Sequence, residues 1–183
     1  MIRRTLAVAL AATAALAMGS MAASASSVHL KGGANAEPTF VDNGLSLRAS
    51  GELSGLGNAD VLVTLSAQAD VTATCSNRGG NQAPGQNPAP LTVTGSQAIP
   101  ASEVKNGTTP FSVVTVAPDP TIAGAPDCPN PNWTETIQDL AFTSAVITVE
   151  QPAGTTVLTV TCTINPASHD GSIPRADVTC VSS

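Results

Sequence analysis

Aromatic side chains are nearly missing from this chain: three Phe, one Trp and no Tyr make up 2% of 183 residues. A folded core must therefore be built from Val, Leu, Ile, Ala and Thr, and ring platforms of the kind that stack nucleobases are scarce. Charge is short too, at 11% against a usual share of about 25%. Basic residues are the rarer kind, seven Lys and Arg against 13 Asp and Glu. Removal of Arg3 and Arg4 with the N-terminal segment described below leaves five basic residues and a net charge of −8. No positive field remains to hold phosphates, so nucleic acid and anionic membrane are poor partners. The low charge does not signal disorder, because 42% of the residues are hydrophobic and many alternate with polar ones.

Catalytic and metal-binding signatures are missing as well. The four cysteines lack the short C-x₂₋₄-C spacing of a zinc site. A reactive thiolate needs a basic neighbour, and beyond His29 near the mature N-terminus the only histidine is His169. No serine stands in a G-x-S-x-G turn. Glu135 and Asp139 are the nearest pair of acids on one expected strand, but four residues of strand separate them by about 13 Å, too far for either glycosidase geometry. Asp119, Asp127, Asn130, Asn132 and Glu135 supply oxygens that calcium could use, without EF-hand spacing. The expectation is a protein that is not an enzyme and holds no metal or cofactor.

What is present begins with an export signal. Arg3 and Arg4 precede an apolar run from Leu6 to Met18, and Ala23-Ser24-Ala25 fits the A-x-A cleavage pattern. The run is shorter than the roughly 20 residues a membrane span needs. Residues 1–25 read as a signal peptide, 26–36 as a flexible leader, and 37–183 as a single domain. No cysteine follows the signal to take a lipid and no apolar C-terminal tail suggests an anchor, so release to the exterior is expected.

Strand patterning dominates the rest. From Val61 to Cys75 apolar and polar residues alternate over fifteen positions, longer than the usual strand of roughly 3–10 residues. A bend, a bulge or a break is therefore expected around Ala67 to Ala69. Asn43-Gly44 suits a tight hairpin between Phe40-Val41 and Leu45-Ser46-Leu47. Other candidates are Leu91–Val93, Phe111–Ala117, Thr134–Leu140, Ala141–Glu150, Val157–Ile164 and Val178–Val181. A turn centred near Ala153-Gly154 would set Val149 opposite Leu158, Ile147 opposite Val160 and Ala145 opposite Cys162, all on one apolar face. The pattern predicts an all-β, antiparallel β-sandwich of about seven to nine strands, in the immunoglobulin-like style, with two disulfides.

A hairpin centred on Asp170-Gly171 brings Cys162 nearly opposite Cys180, which favours Cys162–Cys180 with Cys75–Cys128. A bridge between sheets joining Cys75 and Cys162 is the rival. Two irregular stretches rich in Pro, Gly and Asn, Ser76–Pro90 and Pro118–Asn132, interrupt the strands. Rigid scaffolds display function on such loops, so Trp133, Asn130, Asn132, Asn81 and Gln82 are candidate partner contacts. A lone Trp in a sandwich more often fills the core, and that is the expected place of Trp133, with an exposed anchor as the alternative.

The segments Leu56–Val61, Gly79–Pro88 and Cys128–Glu135 resemble those of uncharacterised small secreted proteins of actinobacteria, over most of Leu45–Cys162. That resemblance implies secretion and no particular function. In general character the chain is also similar to the acidic, two-disulfide apoproteins of secreted chromoprotein antibiotics, a likeness of fold only. The leading expectation is a secreted, non-enzymatic surface or interaction protein of the bacterial envelope or exterior, contacting an unknown protein or envelope component through its loops. A secreted carrier of a small apolar ligand, an enzyme inhibitor and an unrecognised hydrolase are the alternatives. Intact-mass measurement of the protein from culture supernatant is expected to give a chain beginning at Ser26; an uncleaved Met1 chain in the membrane fraction would contradict the export reading.

Overall fold

The computed structural model describes residues 28–32, 36–85 and 88–183. The signal peptide expected over residues 1–25 lies outside them. Among the described residues twelve strands follow in chain order: β1 (His29–Leu30), β2 (Thr39–Asp42), β3 (Leu47–Ser54), β4 (Val61–Ser76), β5 (Gln82–Pro84), β6 (Leu91–Ile99), β7 (Thr108–Val114), β8 (Thr121–Ile122), β9 (Thr134–Glu150), β10 (Thr156–Ile164), β11 (Gly171–Ser172) and β12 (Val178–Ser182). Four of them, β1, β5, β8 and β11, are only two or three residues long, which leaves eight substantial strands within the expected seven to nine. Short 3₁₀ turns occupy Ala101–Glu103 and Arg175–Asp177. Among the described residues no helix is long and apolar enough to cross a membrane.

All pairing is antiparallel and forms two sheets. In the smaller, β3 carries β7 on one edge and β2 and β1 on the other, with β11 outside β2. The larger runs β12-β10-β9-β4, with β6 and β5 end to end along the other edge of β4 and β8 beside the start of β9. Leu47, Ala49, Leu53, Phe40 and Phe111 from the first sheet and Val63, Leu65, Leu140, Phe142, Ile147 and Val160 from the second meet in one core.

The longest pairing is β4 against β9, and it explains why β9 is hard to read in sequence. β4 keeps one face inward throughout, with Val61, Val63, Leu65, Ala67, Ala69, Ala73 and Cys75 buried. Its partner slips twice: Gln68 faces Ser144 while Ala69 faces Phe142, and Thr72 faces Asp139 while Ala73 faces Ile137. Thr143 and Gln138 are thus extra residues bulged out of β9. Each bulge inverts the inward parity of a period-two strand, so the buried set passes from Ala145, Ile147 and Val149 to Leu140 and Phe142, then to Glu135 and Ile137. What looks in sequence like two strands, Thr134–Leu140 and Ala141–Glu150, is one strand with two faults. The irregularity expected near Ala67 to Ala69 exists, but its extra residue belongs to the partner.

Register elsewhere follows the apolar pattern. Leu158 pairs Val149, Val160 pairs Ile147 and Cys162 pairs Ala145, as the turn geometry required. The Asn43-Gly44 turn is two residues longer than a tight hairpin, both on its C-terminal side. Asp42 pairs Leu47, so Leu45 and Ser46 belong to the turn, where Gly44 adopts φ 78°. β10 and β12 pair directly, but Asp170-Gly171 does not close a tight hairpin between them: the intervening chain crosses to the other sheet, where β11 pairs β2. The stretch read as leader also differs, since β1 pairs β3 and Val28 and Leu30 are buried.

One side of the sandwich is laced shut. Thr115 N–H donates to Leu47 O of the small sheet, and the next residue, Val116, donates to Thr94 O at the edge of the large one. The backbones approach so closely that a Cβ on Gly95 would lie 1.9 Å from the carbonyl oxygen of Val114. Only glycine fits there.

The bulge at Thr143 leaves backbone groups of Phe142 to be satisfied from outside the ladder. Ser168 does so twice, its N–H donating to Phe142 O at 2.9 Å and its Oγ accepting from Phe142 N–H at 2.7 Å. The Ser168 hydroxyl donates in turn to Asp42, which is 2% exposed and also accepts from Gly44 N–H. Burial raises the Asp42 pKa above 3.8, the two hydrogen bonds oppose that rise, and the Asp139 and Asp170 carboxylates add to it. A raised acid gives stability that is full below the unfolded value and is lost as pH climbs through the folded one. Relative to Asp42→Asn, the wild type is therefore expected to lose stability as pH rises from about 3.8 and to level off above the folded value, as read from urea midpoints. A flat or rising difference would contradict the assignment.

Candidate functional site

Because β4 has 16 residues and β9 has 17, whereas β3 has only 8, the long pair runs past the smaller sheet. The inward face of the overhang, including Ala73, Cys75, Glu135 and Ile137, is covered by the two Pro, Gly and Asn-rich stretches instead. From the first, Gly85 N–H donates to Ala73 O and β5 pairs the end of β4. From the second, Pro120 O accepts from Ile137 N–H and β8 pairs Thr136 and Glu135. Short edge strands are the places where sheets tolerate nearby proline, as Pro84 and Pro120 illustrate.

The disulfide Cys75–Cys128 staples the second stretch to the end of β4, with Cα atoms 5.7 Å apart. Cys162–Cys180 joins the directly paired β10 and β12. These are the two bridges favoured in the sequence, Cys162–Cys180 by its expected register and Cys75–Cys128 as the remaining pair, and the rival bridge between Cys75 and Cys162 is not formed. The first closes a separation of 53 residues and the second one of 18, and the longer loop removes more freedom from the unfolded chain.

Stapling brings the two stretches together at the tip of the overhang. Asn77, Arg78 and Gly79 from one and Asn130, Pro131, Asn132 and Trp133 from the other line a single open dish of about 670 Å³. Trp133 is half-buried at its wall rather than packed in the core, which corrects the expected place of that residue. Its neighbours Cys128–Asn132 form turns over the disulfide instead of a strand facing the other sheet, so the ring has no core to enter.

Local turns fix the dish. Asn77 Oδ1 accepts from the N–H groups of Gly79 and Asn81 at 2.9 and 3.0 Å, and Asn130 Oδ1 accepts from Asn132 N–H at 3.1 Å. These are side-chain-closed turns of the kind asparagine favours. Of the predicted contacts, Trp133, Asn130 and Asn132 line the dish, Asn81 braces its rim, and Gln82 lies outside it as an exposed residue of β5. Asn77, Arg78 and Gly79 were missed. Their signal was the spacing Asn77-x-Gly79-x-Asn81, a turn pattern that holds one of the few basic residues outward. Arg78 is exposed and has no ion pair or hydrogen bond among the described residues.

Below the dish sits a buried acid. Glu135 is 0% exposed; its Oε2 accepts from Asp127 N–H at 3.4 Å and its Oε1 has no hydrogen-bond partner. Of the oxygens considered for calcium, Asp119 Oδ1 accepts from Thr121 N–H and Asn130 Oδ1 closes its own turn. Among the described residues no three His, Cys, Asp or Glu side chains converge as metal ligands. A second cavity beside the overhang, between Val71, Leu91, Ile122, Pro126 and Ile137, has about 230 Å³. Ligand pockets run to roughly 300–1,000 Å³, so the apolar carrier reading finds little room there.

No protein-family model, curated protein or solved structure matches this chain. The site stands on its own geometry. Replacing Cys75 and Cys128 together by Ala is expected to lower stability by about 2–5 kcal/mol and to shift Trp133 fluorescence toward that of a fully exposed indole. The matching change at Cys162 and Cys180 is expected to lower stability while leaving that emission unmoved. Unchanged emission in the first variant would show that the staple does not hold the dish.

Proposed function

We propose that this protein is exported, sheds its signal peptide, and acts outside the cell as a non-enzymatic binding protein whose contact surface is the dish around Trp133. The observation that carries the reading is convergence: two Pro, Gly and Asn-rich stretches, 53 residues apart at their cysteines, are pinned so that the chain's one Trp and an unpaired Arg share one concavity. Aromatic and Arg side chains in a concave site dominate many contacts, because they offer large area with little conformational freedom to lose.

Export is supported by the N-terminal pattern, and two disulfides are compatible with an extracellular protein. Kinship with the small secreted actinobacterial proteins belongs to the same proposal, as does an immunoglobulin-like lineage for the sandwich. The non-enzymatic reading accords with the described residues that line the dish, Asn, Arg, Gly, Pro and Trp, among which there is no carboxylate, histidine, thiol or hydroxyl to serve as acid, base or nucleophile.

Retention on bacterial wall material tests the reading. The intact protein is expected to be held, and the Arg78→Ala, Trp133→Ala double variant to be held at least about tenfold less, the scale of losing one or two anchors. Equal retention of the two folded proteins would remove the dish from the contact surface.

A further inference from the structure

Resting on the reading that the dish is the contact surface, we propose that its ligand is a carboxylate-bearing glycan, which lays one sugar face against Trp133 and offers carboxylate oxygens to Arg78. The hydrogen-bond ledger of the dish points to this chemistry. Asn77 Oδ1 accepts from two backbone donors and Asn130 Oδ1 from one, while the Asn130 backbone carbonyl accepts from the Trp133 backbone N–H. The turns that shape the dish thus engage two of its three asparagine side-chain oxygens. Left without a hydrogen-bond partner are the Nδ2 donors of Asn77 and Asn130 and the guanidinium of Arg78; Asn132 keeps both donor and acceptor of its side-chain amide, and among the described residues no acid lines the dish. A surface rich in donors selects a ligand rich in acceptors.

Three comparisons narrow the class. Phosphate is multiply charged and would approach a strongly acidic protein with one guanidinium to receive it, whereas a carboxylate carries a single charge that one Arg fork matches. A peptide brings its own backbone N–H donors, whereas Asn132 Oδ1 is the one asparagine oxygen of the dish without a donor among the described residues, and the lining residues all lie outside the strands, so no open strand edge is offered to it. Sugar hydroxyls can keep water on their outer side, as a shallow and mainly polar dish allows, while the C–H face of the ring covers the half-buried indole.

Trp133 is the only Trp in the chain, so its fluorescence reports on the dish directly. Oligogalacturonate is expected to change that emission saturably. Arg78→Gln is expected to weaken binding at least about tenfold, the loss for a charge-assisted hydrogen bond. Arg48→Gln removes the same charge from the exposed surface of β3 and is expected to bind as the wild type does. Neutral malto-oligosaccharide binding as tightly as oligogalacturonate, or indifference of binding to Arg78→Gln, would overturn the carboxylate. Tighter binding of oligoglutamate would overturn the glycan. If no probe moves the emission while wall retention still depends on Arg78 and Trp133, the ligand class is wrong and the dish stands; if retention is also independent of both residues, the contact surface itself is wrong.

Discussion

The pairing of β4 with β9 is the constraint on which the rest of this molecule depends. It forms fifteen residue pairs across the middle of the larger sheet, and its inward side chains build most of that sheet's contribution to the core. A flat ladder of this length would twist away from the smaller sheet. The two bulges on β9 let it bend instead, and each leaves a repair for other segments to make. At Thr143 the repair is Ser168, whose N–H and hydroxyl satisfy both backbone groups of Phe142 and whose hydroxyl reaches Asp42 in the other sheet. The crossing of residues 165–177 between β10 and β12 therefore has a physical purpose: it carries that plug, and on it β11.

The overhang follows from the same length mismatch. Apolar surface at the end of β4 and β9 has no facing sheet, and burying it is worth about 25 cal/mol per Å². Here two proline-rich stretches supply the cover, and Cys75–Cys128 fixes them to the strand end. Covering with turns rather than with a sheet leaves irregular backbone at the tip, where asparagine side chains close the hydrogen bonds. A dish with spare donors is the by-product. Its chemistry is then a consequence of how the overhang is capped, and it rests on a rigid base, as binding surfaces require.

The alternation of β4 and the hairpin register from Val149 to Cys162 were legible in the sequence because each rests on period two and on short-range turn geometry. The disulfide pairing was favoured through a hairpin at Asp170-Gly171 that does not close; Cys162 still meets Cys180 because β10 and β12 pair directly, and Cys75–Cys128 followed as the remaining pair. β9 was half legible, since a bulge leaves no composition mark and only a change of parity at Thr143 and Gln138. The short strands β1, β5, β8 and β11 were invisible: two or three residues hold no period, and they exist because a neighbouring edge offers donors and acceptors. Trp133 was placed in the core on the strength of its type, whereas the turns over Cys128 decide its surroundings. Asn130, Asn132 and Trp133 were nominated from loop composition, but Arg78 was not, because its role depends on a meeting of two stretches that only the disulfide and the overhang produce.

The central claim is that those two stretches form one binding surface. Backbone amide chemical shifts recorded while soluble wall fragments are added test it most directly. The account predicts perturbations concentrated at residues 77–79 and 130–133, on both sides of the Cys75–Cys128 staple at once. Shifts confined to one stretch, or spread over the Ser and Thr-rich outer face of the larger sheet, would contradict it.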